Sequence, residues 1–233
     1  MGVDMPNFAQ EPFERAKNPF DGNELVLNPE QRCPCLLLLD TSASMEGQKL
    51  AELNEGIRTF KSELMLDSLA MKRVEIGIVT FGPVRIEQDF VTADNFQPPH
   101  LTTTGDTPMG AAIVNGLEEL ERRKELYRNH GIQYNRPWVF LLTDGAPTDS
   151  IVFASQMVRE GVERKKFAFF AVGVEGADMV TLASISPRKP LKLQGLKFRE
   201  LFLWLSGSLS SASRSSPSND VLALPPPSDW AQL

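Results

Sequence analysis

Apolar runs of strand length alternate with longer stretches in which apolar residues return every three or four positions, from about residue 34 to residue 206. "CLLLLD" opens the series as a strand buried on both faces. In "GQKLAELNEGIRTFKSELML", Leu50, Leu53, Ile57, Phe60 and Leu64 recur with helical spacing and predict an amphipathic helix. "VEIGIVTF" and "VRIEQDF" read as two strands joined through Gly82-Pro83 as a hairpin. The second carries Arg85, Glu87 and Asp89 at alternate positions, as an exposed edge strand does. "TPMGAAIVNGLEELERRKELYRNHG" is the next helix, with Asp106 or Thr107 as its cap, Pro108 in its first turn and Gly131 as its stop. A buried strand "WVFLLTDG", a helix "DSIVFASQMVREGVERKK", a strand "FAFFAVGV" and a short strand "PLKL" follow. "KFRELFLWLSGSLSSA" closes the series as a helix with Phe198, Leu201, Phe202, Leu205 and Leu209 on one stripe.

Continuous apolar strands separated by helices predict a doubly wound α/β fold: a mostly parallel sheet with one antiparallel edge strand and helices on both faces. The expected organisation is an N-terminal extension over 1–33, the α/β domain over 34–209 and a Ser/Pro-rich tail over 210–233. The tail holds "SASRSSPSND" and "LPPPSDW"; either it hangs free or Pro225 to Trp230 packs back on the domain or meets a partner.

Composition narrows the function classes. The 233 residues are 42% hydrophobic and 23% charged, ordinary values for one globular domain, and the formal net charge of −6 leaves no basic footprint for nucleic acid. No apolar run approaches the roughly 18–20 residues that cross a bilayer, so no membrane insertion is expected. The N-terminus lacks the apolar core of a secretion signal, and a cytoplasmic location is expected. Cys33 and Cys35 are too few for a zinc site, which takes about four ligands, and are expected to be buried free thiols.

In an open α/β sheet the chemistry belongs beyond the carboxyl ends of the strands. The loops there carry Asp40, Ser42 and Ser44 in "LLLLDTSASMEGQ", Thr107 in "TTTGDTPMG" and Asp144 in "LLTDGAPTD". A serine-hydrolase elbow would need flanking glycines and a histidine base, and the only histidines are His100 and His130. His130 sits at a predicted helix end, the place of a solvated or capping residue. An aspartyl-phosphate enzyme would want a second acid where Ser42 stands; phosphate-loop and dinucleotide glycine patterns are absent. Hydroxyl and carboxylate oxygens do suit a hard divalent ion, Mg²⁺ above all, with Mn²⁺ or Ca²⁺ possible. Three hydroxyls and two carboxylates make a shallow site with a coordination position left open.

D-T-S-A-S after the first buried strand, a Thr opening a later helix and T-D-G after the following strand together resemble the von Willebrand factor A domain and its metal-ion-dependent adhesion site. The stretches "CPCLLLLDTSASM", "MKRVEIGIVTFGPV", "GDTPMGAAI", "RPWVFLLTDGAPTD", "FFAVGVEGADM" and "PLKLQGLKFRELFLWLS" are similar to bacterial TerY-type proteins associated with tellurium-resistance gene clusters. The resemblance implies that Ser42 and Ser44 bind the metal directly, that Thr107 does so directly or through water, and that Asp40 and Asp144 hold coordinated waters. It also implies a partner's Glu or Asp carboxylate in the open position. Thr41 and Ala43 stand where the family often has glycine, and the acids Glu46 and Asp106 lie beside the motif. In related domains ligand engagement moves the last helix, here "KFRELFLWLSGSLSSA".

The expected function is therefore a non-enzymatic, Mg²⁺-dependent protein-binding module in a bacterial stress-response or tellurite-resistance assembly. One rival makes the ion structural or regulatory, with the partner bound through the tail or another face. Another makes the site a metal-dependent hydrolase with Glu46 or Asp106 as base, a role no sequence feature supports.

Overall fold

The computed structural model describes residues 23–216, 226 and 230–232. Most of the N-terminal extension and of the Ser/Pro-rich tail lies outside the described residues. A short helix α1 (Asn23–Leu27) precedes β1 (Cys33–Asp40), α2 (Gln48–Met65), α3 (Ala70–Arg73), β2 (Val74–Phe81) and β3 (Arg85–Thr92). Then come α4 (Met109–Asn129), β4 (Trp138–Thr143), α5 (Val152–Glu163), β5 (Ala168–Gly173), α6 (Met179–Ile185), β6 (Leu191–Leu193), α7 (Phe198–Ser213) and β7 (Ala231–Gln232). The strands form one seven-stranded sheet in the order β3-β2-β1-β4-β5-β6-β7. β1 pairs in parallel with β2 and β4, and β4 with β5 and β5 with β6 likewise. The expected antiparallel edge is β3, joined to β2 by the Gly82-Pro83 turn.

The pleat of β1 divides the core. Cys33, Cys35, Leu37 and Leu39 face a layer that includes residues of α2 and α7, whereas Leu36 and Leu38 face residues of α4 and α5 on the other side. Strands covered on both faces must be apolar at every position, which is why "CLLLL" lacks alternation. Both cysteines are free and buried on the same face of β1.

At the end of the chain, α7 ends at Ser213, one residue past the predicted helix, and of the two options for the tail it is the packed one that Trp230 adopts. Trp230 is 2% exposed and its ring lies 5.2 Å from that of Trp204, while Ala231 and Gln232 pair antiparallel with β6. Both sheet edges are therefore antiparallel, and this part of the tail is packed against the domain. At the opposite end of the strands from the candidate site, Glu75 is fully buried between Arg32, at 2.7 Å, and Arg123, at 2.8 Å, and also accepts from the Tyr127 hydroxyl.

Candidate metal centre

The sheet order places the site. From β1 the chain goes by α2 to β2 on one side, then crosses by way of α4 to β4 on the other. The strand order thus reverses between β1 and β4, and their carboxyl ends open the crevice where α/β sheets bind ligands. Asp40 ends β1 and Asp144 follows β4 directly.

The three loops are tied by backbone hydrogen bonds. The Ala43 amide donates to the Gly105 carbonyl (3.2 Å) and the Thr104 amide to the Thr41 carbonyl (2.9 Å), joining the first loop to the second. The Thr148 amide donates to the Thr107 carbonyl (2.9 Å), joining the second to the third. Gly82, at φ +124°, lets the β2–β3 turn lie against the first loop: a Cβ there would sit 2.7 Å from the Ser42 amide nitrogen.

The side chains converge on this frame. The Ser42 and Ser44 hydroxyls are 3.0 Å apart, and the Ser44 hydroxyl donates to Asp144 Oδ1 at 2.6 Å. Thr107 Oγ1 faces the same space: a Cβ at Gly145 would lie 3.5 Å from it and 3.7 Å from Ser44 Oγ. Asp40 is fully buried; its Oδ1 accepts from the Ser42 amide (2.8 Å) and its Oδ2 from the Thr143 hydroxyl (2.5 Å). Burial raises the Asp40 carboxyl above its ordinary pKa; the hydrogen bonds from Ser42 and Thr143 oppose that rise and the nearby Asp144 charge adds to it. Asp40, Ser42, Thr107 and Asp144 are buried, and Ser44 stands at the exposed rim.

This donor set fits a hard divalent cation. Two ligands about 2.1 Å from a Mg²⁺ ion and at right angles are themselves about 3.0 Å apart, a spacing the two serine hydroxyls already hold through the hydrogen bond between them. Both Asp40 oxygens already accept hydrogen bonds from the frame, which suits it to holding a coordinated water rather than the ion. Among the described residues no group of three or more His, Cys, Asp or Glu side chains could hold a metal, so a site here depends on hydroxyls.

Three participants escaped the sequence pattern. The expected caps of α4, Asp106 and Thr107, do not cap it: Pro108 is at the N-cap position without a side-chain bond, and Asp106 is exposed. Asp149 does the work from the third loop, accepting from the Gly110 amide (2.9 Å) and the Ala111 amide (2.7 Å). The Thr107 hydroxyl is thereby left for the site. Thr143, whose only signal was its place in T-D-G, orients Asp40 and accepts from the Gly145 amide (3.1 Å). Lys49 reaches back from the start of α2 to Asp144 Oδ2 at 2.5 Å. Glu46 is exposed at the rim. His130 caps the end of α4, its Nδ1 2.8 Å from the Leu126 carbonyl oxygen.

The model of the von Willebrand factor type A domain matches residues 36–194. The chain belongs to the von Willebrand factor type A family. A curated relative, inter-alpha-trypsin inhibitor heavy chain H1 from Bos taurus, is 24% identical over an aligned length of 149, with 59% of this chain and 16% of that protein covered. The chain thus spans a small part of that relative's length. The pilus adhesin SpaC from Lactobacillus rhamnosus GG, in its open conformation, shares this type A fold with a TM-score of 0.61 at 14% identity, covering 77% of this chain and 30% of that one. The von Willebrand domain of the type V pili tip protein Mfa5 from Porphyromonas gingivalis gives a TM-score of 0.55 at 9% identity, covering 82% and 99%. Among the described residues, no helix of this type A domain is long and apolar enough to cross a membrane.

Proposed function

We propose that the domain is a non-enzymatic, Mg²⁺-dependent protein-binding module, with Mn²⁺ or Ca²⁺ as substitute ions, that captures a Glu or Asp carboxylate of a protein partner. The observation carrying this reading is the pair of serine hydroxyls 3.0 Å apart, backed by two buried carboxylates. Ser42, Ser44 and Thr107 would hold the ion. Asp40 and Asp144 would hold its waters, leaving its charge under-compensated for an incoming carboxylate. The loops are already tied by backbone bonds, so an ion is not needed to knit them, and this favours a ligand-binding role over a structural one. A cavity beside the first loop, lined by Thr41, Gly82, Arg85 and His100, measures about 80 Å³, well below the roughly 300 Å³ at which small-molecule pockets begin. None of Asp40, Ser42, Ser44, Thr107 and Asp144 lines it. The sequence resemblance to TerY-type proteins is what supports proposing a role in a bacterial, cytoplasmic stress-response or tellurite-resistance assembly.

The test is a pull-down from the native host with the wild type in Mg²⁺, the wild type in chelator and Asp40→Ala in Mg²⁺. A protein retained only by the wild type with metal is the expected result. Retention indifferent to chelator and substitution would move the interface away from Asp40, Ser42, Ser44, Thr107 and Asp144. Metal-dependent hydrolysis of a phosphoester panel would make the site an enzyme.

A further inference from the structure

Lys49 occupies an unfavourable place by local rules. It is the second residue of α2, whose first turn carries no acid, and an ammonium at a helix N-terminus opposes the helix dipole. A solvated lysine would swing outward. Here the side chain turns back to Asp144 Oδ2 at 2.5 Å, with Nζ 3.5 Å from the Ser44 carbonyl oxygen. The lysine side chain is 26% exposed and the Asp144 side chain 0%. The β5–α6 loop passes close by: a Cβ at Gly176, φ +99°, would lie 3.1 Å from the Asp144 carbonyl oxygen and 3.9 Å from Lys49 Nζ.

Asp144 is therefore shared. One oxygen accepts from Ser44, a candidate metal ligand, and the other holds the ammonium. Two buried carboxylates of like sign, Asp40 and Asp144, need a counter-charge in the ion-free protein. We propose, resting on the reading of this site as a metal centre, that Lys49 is its internal counter-cation: the ammonium holds Asp144 until a divalent ion displaces it, and so sets how much ion the site needs. An ion drawing on Asp144, directly or through a water, would place its charge beside the ammonium, and like charges repel strongly where water is scarce. Lysine suits such a latch, since its single point charge on a flexible stem is easily withdrawn.

The test is titration calorimetry of Mg²⁺ alone into the full chain as wild type, Lys49→Met and Lys49→Arg, with melting curves in chelator and in saturating Mg²⁺. Lys49→Met is expected to bind Mg²⁺ about tenfold more tightly, and Lys49→Arg, which keeps the charge, to stay within about threefold of wild type. In chelator Lys49→Met should melt below wild type, and in Mg²⁺ the difference should shrink. Equal or weaker binding by Lys49→Met overturns the latch while leaving the metal centre standing. Absence in all three proteins of both binding heat and any Mg²⁺-dependent rise in melting temperature overturns the metal centre, and the latch with it.

Discussion

Ser44 and Asp144 meet at 2.6 Å although 100 positions separate them in the chain. Neither belongs to the other's loop, so this part of the site forms only when β1 and β4 lie side by side. A ligand of the site accordingly stabilises the folded chain and not the unfolded one. At about a hundred times its Kd, Mg²⁺ should raise the Tm of the wild type by roughly 5–10 °C. Ser44→Ala should lose most of that rise while melting close to wild type in chelator. A Tm insensitive to Mg²⁺ in the wild type would count against the metal centre.

Gly82 makes a second prediction, about loop geometry. At φ +124° and with the Ser42 amide nitrogen and the Thr104 carbonyl oxygen each 2.7 Å from a would-be Cβ, Gly82→Ala must displace the first loop. The substitution should destabilise the domain by about 2–4 kcal/mol and weaken Mg²⁺ binding together with it. Urea unfolding and calorimetry on the same preparation check both. A variant that unfolds early yet binds Mg²⁺ with wild-type affinity would show that the turn supports the fold and not the site.

The legible and illegible parts of the sequence divide along a physical line. The buried strands, the long helices and the convergence of Asp40, Ser42, Ser44, Thr107 and Asp144 follow from periodicity and from where α/β sheets bind ligands. Asp149 as the cap of α4 does not, because the bond spans 39 residues and replaces the local candidates Asp106 and Thr107. Nor does Lys49 as the partner of Asp144, 95 positions further along the chain. Glu75 inside "VEIGIVTF" gave no hint that Arg32 and Arg123 would enclose it.

That enclosure gives a third prediction. Glu75 is buried with two guanidinium groups and the Tyr127 hydroxyl on its oxygens. Glu75→Ala removes the carboxylate shared by Arg32 and Arg123, leaving Arg123 with Glu24 at 2.6 Å, and should cost about 3–5 kcal/mol. Since the cluster lies away from the site, Mg²⁺ affinity of the folded fraction should be unchanged. A midpoint of urea unfolding within error of wild type would show that the cluster is not held as described.

The thiols supply the pH prediction. Burial raises the Cys33 thiol from an ordinary 9.0 to about 12 and pushes the Cys35 thiol well above its ordinary value, with the neighbouring Cys33 adding to the rise. A folded-state pKa above the unfolded value contributes stability that is complete below the ordinary thiol range. That stability is lost as pH climbs through about 12. Native protein should therefore resist thiol-directed reagents at about pH 8 and label at both cysteines once denatured. Fast labelling of the native protein would contradict the burial.

The Asp149 bonds to the first amides of α4 have one more consequence. The loop that carries Asp144 also fastens the start of the helix that follows Thr107, so a partner that shifts the loop must slacken that helix end. The Gly110 and Ala111 amides are thus a native strain gauge: their solvent exchange would record a tug on the rim residue by residue, with no label attached.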